Sequence, residues 1–154
     1  MIQRIQSIFI LAAALLLGCL IVWPIDSFGG AQGLIELRWN GVWDVTPGAH
    51  TPLVRPLHSL AVVIVVAVIL HVVSLFSFTH RQLQMRLVGI SAGVSLCLTA
   101  LLCYLGHQIS GSLGMDMHIN FHWALPIVAA ILDILAYRRI SDDDAIVKSL
   151  DRLR

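Results

Sequence analysis

His118 and His122 stand four residues apart, the spacing that puts two imidazoles on one helical face, where they could chelate one ion. Met115 and Met117 add soft sulfur of the kind copper prefers, and Asp116 lies beside them. His58 and His107, with His50, are the candidates to complete such a site. Copper or zinc is the chemistry this set suggests, against the simpler role of histidines bonded to water and loop carbonyls at a membrane boundary. Haem b needs two histidines facing each other across helices. His58 and His71 are 13 positions apart, which at about 100° per residue leaves them roughly 220° apart and on nearly opposite faces. His71 has no obvious haem partner on the later apolar segments. No cofactor is therefore expected, with copper or zinc at His118 and His122, or a single outer haem b between His58 and His107 or His122, as the alternative.

Two ionisable residues lie deep in apolar sequence, His71 and Asp133. An ionisable group inside a membrane span is a functional candidate by default. Asp133 precedes Tyr137 and Arg138 by about one turn, so an ion pair with Arg138 or with the basic turn is its expected role. No sequence feature links it to His71. Ser-His-Asp, Gly-rich phosphate loops and HExxH are all absent from the sequence, so it gives no positive sign of an enzyme.

These residues are carried on a very apolar chain. Of 154 residues 58% are hydrophobic and 12% charged, against about 25% charged in ordinary soluble domains. Net charge is +1, with no dense basic run for nucleic acid. Cys19, Cys97 and Cys103 fall in apolar segments and read as small buried hydrophobes. Pro56 to His80 and Leu87 to Met115 contain no Asp, Glu, Lys or Arg. Each is long enough to cross a bilayer, which takes about 20 residues of helix.

The pattern predicts an all-α membrane protein, a four-transmembrane-helix bundle in a single domain spanning 1–154. Its spans are expected at about 5–23, 57–78, 87–106 and 120–137. Gly89 and Gly93 offer a close helix contact in the third. The outer loop 24–55 should hold a small β-hairpin cap, with strands Leu34 to Trp39 and Val42 to Val45 around Asn40-Gly41, a pair suited to a two-residue turn with positive φ. An extended piece near Thr51 to Val54 could add a third strand. The tail 141–154 should form a separate amphipathic helix starting at Ser141, with Ile146 and Leu150 on its apolar face.

With the basic turn His80 to Arg86 inside, eight Lys and Arg fall inside and two, Arg38 and Arg55, outside. The positive-inside bias then puts both termini in the cytoplasm. Two surfaces are expected to meet a protein partner in the membrane: the outer hairpin at Arg38, Trp39 and Trp43, and the tail helix at Ile146 and Leu150.

The opening Met1-Ile2-Gln3-Arg4-Ile5-Gln6 and the closing Ala136-Tyr137-Arg138-Arg139-Ile140 and Asp143 to Arg154 resemble the two ends of a family of small four-span bacterial membrane proteins catalogued only as a domain of unknown function. The resemblance implies a multi-pass protein of the bacterial cytoplasmic (inner) membrane, and implies no activity, cofactor or site. Trp39-Asn40-Gly41-Val42-Trp43 is similar in a looser way to the first outer loop of claudin-type four-span proteins, without the cysteine pair expected there. Taken together, the expected role is a non-enzymatic accessory or scaffold subunit of a membrane complex, with an outer-face metal or haem redox protein as the alternative.

Overall fold

The computed structural model describes residues 3–30, 33–48, 53–114, 116–118 and 120–151. Its elements in chain order are α1 (Gln3–Val22), β1 (Asp26–Gly30), β2 (Gly33–Arg38), β3 (Gly41–Asp44), β4 (Leu53–Pro56), α2 (His58–Phe76), α3 (Arg81–Leu113), β5 (Asp116–His118), a single 3-10 turn (Phe121–Trp123) and α4 (Ala124–Asp151). α1 gives way at Trp23-Pro24, because a residue before proline is pushed out of the helical region. α3 closes on Gly114, whose φ of 60° supplies the left-handed cap.

The four helices pack in a closed ring. α1 lies against α2 and α4, and α3 against α2 and α4. The strands form one antiparallel sheet at one end of the helices, in the order β4-β3-β2-β1-β5. Its inner side chains Phe28, Ile35, Leu37 and Val42 join Leu17, Leu20, Leu57 and Leu60 in one buried cluster.

Three expectations are corrected. The first is the fold class: a four-transmembrane-helix bundle does not hold. Among the described residues two helices, α2 and α3, are long and apolar enough to cross a membrane. The described apolar stretch of α1, Gln6–Val22, is shorter than the roughly 20 residues a bilayer core demands. In α4 no stretch of that length escapes Arg138 and Arg139 together with Asp133 or the aspartates that follow. α3, by contrast, has 33 residues and spans about 50 Å at about 1.5 Å per residue. It absorbs Arg81 to Arg86 and much of the expected second loop, so only Ser77 to His80 separate it from α2.

The second correction is the hairpin cap, which is part of a five-stranded sheet. Asp26–Gly30 is the strand β1, between β2 and β5, and β5 comes from the loop after α3. β4 starts at Leu53, inside the extended piece expected near Thr51 to Val54, whose first two residues lie outside the described ones. The β2–β3 turn falls one residue earlier than Asn40-Gly41. Arg38 pairs with Gly41 and Leu37 with Val42, so two buried side chains oppose each other where the later turn would have set Leu37 against Asp44. Gly41 has no positive φ. It is glycine because a Cβ there would sit 2.7 Å from the Arg55 carbonyl oxygen.

The third concerns the tail. Residues 141–151 continue α4 without interruption, and Ser141 is an interior helical residue rather than a cap.

Gly33 is the tightest point of the sheet. Its φ is 133°, and a Cβ there would lie 2.0 Å from Thr46 Oγ1, the atom that accepts the Leu34 N–H at 3.0 Å. Gly33→Ala should therefore cost about 1–3 kcal/mol, more than Gly48→Ala, where φ is 91° but the space is open. Thermal unfolding of the two variants in one detergent gives the comparison. Equal melting temperatures would contradict it. Thr46 also holds the half-buried Asp44 carboxyl below the ordinary carboxylate range, first through its hydroxyl and then through its backbone N–H at 2.9 Å. A depressed folded value means that this contribution is present above the unfolded value of about 3.9 and is lost as pH falls through the folded one. Thr46→Val should move the NMR titration of Asp44 back up toward the ordinary value.

Candidate functional site

The buried face of α2 is Leu60, Ile64, Ala67, His71 and Ser74, steps of four and three that keep one stripe turned inward. On α4 the inward stripe is Ala129, Ala130, Asp133, Ala136 and Ile140. α2 and α4 stand opposite each other in the ring, so their stripes meet only across its interior. The alanines above and below His71 and Asp133 leave the room that an imidazole and a carboxylate need to reach one another.

They do reach. His71 Nε2 lies 3.0 Å from Asp133 Oδ2 and 3.1 Å from Oδ1. Both side chains have no solvent-exposed surface. The other ring nitrogen, Nδ1, is 2.7 Å from the Ala67 carbonyl oxygen. A carbonyl only accepts, so Nδ1 carries a hydrogen and donates it. Nε2 and the carboxylate would then meet lone pair to lone pair unless one further proton lies between them. The contact therefore holds one shared proton, as imidazolium with carboxylate or as imidazole with carboxylic acid. In either form the pair is neutral overall, which is the condition for keeping it in an apolar interior.

The pair sits between two apolar clusters. Toward the sheet lies the large one, with Leu17, Leu60, Ile64, Leu98, Leu102 and Ala129. Toward the α2–α3 turn lies a smaller one of Ile10, Val88, Ala136 and Ile140. Around the smaller cluster polar groups recur. Gln84 Nε2 donates to the Ser74 carbonyl at 3.3 Å, and buried Gln6 donates to Asp143. Beside the pair, between α3 and α4, is a cleft of about 240 Å³ lined by Val88, Gly89, Ala92, Asp133, Ile134 and Tyr137. A second groove of about 500 Å³ between α2 and α3 has Gly93 in its wall with Val62, Val66 and Ile90. Gly89 and Gly93 thus line surface clefts instead of sealing a helix contact, and a Cβ on Gly93 would meet nothing within 4 Å.

Of the histidines expected to bind metal, His58, His107 and His122 have described side chains. His58 and His107 are exposed on α2 and α3. His122 is 9% exposed, with its ring centroid 4.1 Å from that of Phe121 and 6.4 Å from that of Trp23. His118 is in β5, paired with Ser27, so it shares no helix with His122, and its side chain lies outside the described residues. His50 lies outside them as well. Among the described residues no three His, Cys, Asp or Glu side chains gather as a metal-holding group.

The expected partner surface on the sheet is internally tied. Arg38 pairs with Glu36 at 2.9 Å and lies 5.9 Å from the Trp43 ring centroid. Trp43 Nε1 donates to Asn40 Oδ1 at 3.0 Å, and Trp39 packs on the core. Ile146 and Leu150 are in α4, with side chains outside the described residues.

Asp133 had been expected to pair with Arg138 or the basic turn, and its partner is His71. The signal for the pairing was available by elimination: two deep ionisable residues in apolar segments each need a partner, and each is the other's candidate. Gln6 and Gln84 carried no such signal.

Residues 2–153 match the model of a family described as Domain of unknown function (DUF4293), and the chain belongs to that family. No match is found among the curated proteins. Neither result supports the likeness to claudin-type proteins.

Removing one partner of the pair strands a buried polar group, so Asp133→Leu or His71→Leu alone should cost about 3–5 kcal/mol. The double variant should cost less than the two single losses combined. Denaturant unfolding in mixed micelles measures all three, and strictly additive losses would show that the two side chains do not interact.

Proposed function

We propose that the protein is a non-enzymatic accessory or scaffold subunit, embedded in the bacterial cytoplasmic membrane through α2 and α3. The observation that carries the membrane part is the outward surface of those helices. Val62, Ile69, Val73 and Phe76 on α2, and Ile90 and Leu96 on α3, are all exposed. A contiguous apolar surface of this kind is not left in water by monomeric soluble proteins. Lipid satisfies it without a further partner.

Orientation follows from charge. Arg81, Arg86, Arg138, Arg139 and Lys148 are at or beyond the turn-side ends of α3 and α4, and the start of α1 is tied there by the Gln6–Asp143 bond. Arg38 and Arg55 are on the sheet. The positive-inside bias supports a cytoplasmic α2–α3 turn and a sheet on the outer side. The scaffold role rests on two parts, the sheet and the distal half of α4, each of a size to dock a neighbouring protein.

Alkaline carbonate washing of membranes should leave the protein in the pellet. Ile69→Arg puts a charge on the lipid-facing side of α2 and should block stable insertion, at a cost of about 2.5–3.5 kcal/mol. At an exposed position of a soluble protein the same change is close to neutral, so an unaffected Ile69→Arg variant found in the wash would sink the membrane assignment. Mild-detergent purification should recover a reproducible partner. Removing residues 145–154, which spares the Gln6–Asp143 bond, should weaken that recovery. A protein that stays alone under every gentle extraction would overturn the scaffold role.

A further inference from the structure

We propose that His71 and Asp133 form a proton-binding site opening to the hydrocarbon phase through the α3–α4 cleft and secluded from both aqueous faces. The proposal rests on α2 and α3 lying in lipid. Three observations carry it. The Nδ1–H donation to Ala67 leaves one shared proton between Nε2 and the carboxylate. Both side chains are fully buried, with apolar clusters on either side along the helix axes. A lateral cleft at this level has Asp133 in its lining, with Gly89 and Ala92 providing the gap by having so little side chain.

No nearby charge competes for the proton. From α1 this level holds Ile10 and Ala13, from α3 Val88 and Ser91, and from α4 Ala136 and Tyr137. The ring of Tyr137 forms part of the cleft wall, facing Gly89. The pair is therefore a site for a proton. Deep ionisable groups of this type in membranes mark proton-linked sites.

Dicyclohexylcarbodiimide is the fitting probe. A protonated carboxyl adds across its C=N bond: the carboxyl proton goes to nitrogen, the carboxyl oxygen bonds to the central carbon, and nothing leaves. The protein gains the mass of the whole reagent. Wild-type protein in phosphatidylethanolamine–phosphatidylglycerol vesicles should take up one equivalent, mapped by fragmentation to Asp133. A water-soluble cationic carbodiimide should not label that residue. The labelling rate should fall about tenfold per pH unit once pH passes the titration of the pair. His71→Phe removes the base that holds the shared proton and should raise the rate at neutral pH several-fold. Absence of label on Asp133, equal labelling by both reagents, or a rate indifferent to pH would each overturn the proposal. Carbonate washing of the same vesicles separates the failures. Protein retained but unlabelled refutes the proton site alone, and protein washed off refutes the membrane assignment beneath it.

Discussion

One proton shared between His71 and Asp133 constrains the rest of this protein. An imidazole and a carboxylate without solvent contact are tolerable only as a neutral, hydrogen-bonded unit, since either alone would leave an uncompensated charge in a medium that cannot solvate it. The His71–Asp133 contact fixes the rotation of α2 and α4 relative to each other, and the His71–Ala67 bond within α2 holds the imidazole ring in place for it. Those two helices lie across the ring from each other and share no extended packing surface. The pair is the specific contact between them, while α1 and α3 fill the sides. It also divides the interior into a large apolar cluster continuous with the sheet and a small one near the turn. Conformational specificity bought with a polar contact is the usual role of such groups when they are kept in a core.

The sheet depends on a second kind of constraint, backbone hydrogen bonding. Its outer-loop segments are too polar and too rich in glycine to pack as helices, and their N–H and C=O groups need partners. Five strands drawn from two separate loops supply them. The sheet then lays Phe28, Leu37 and Val42 over the ends of the helices, so the same layer that satisfies the backbone also closes the apolar core. Thr46 links the two demands by accepting from Leu34 and stabilising Asp44.

The helical part of the fold was largely legible in the sequence. Uncharged runs on either side of His80 to Arg86 mark α2 and α3; α2 falls inside its run, and α3 begins earlier than its run, taking in the basic residues. The expectation of four spans failed because it counted apolar segments without asking whether each is long enough and free enough of charge. α1 falls short in its described apolar stretch, and α4 carries charges through every stretch of sufficient length. The tail was misjudged for a related reason. Ser141 followed by aspartates looks like a fresh helix start, yet the same residues continue a helix already under way at lower cost than nucleating another. The hairpin register failed on burial: pairing Leu37 with Val42 hides both, and that gain decides against the turn that Asn40-Gly41 alone would favour.

By itself, the sequence determined the two apolar helices on either side of His80, strands in the loop that precedes them, and two isolated ionisable residues in apolar surroundings. Each of these is a statement about neighbours along the chain, where composition and periodicity suffice. Tertiary structure alone decided that β5 completes the sheet, that His122 packs against the rings of Trp23 and Phe121, and that His71 meets Asp133. These contacts join residues far apart in the chain, 62 positions apart in the last case. Their physical basis is the packing of α1 and α3, which sets the distance across the ring at which one imidazole and one carboxylate share a proton.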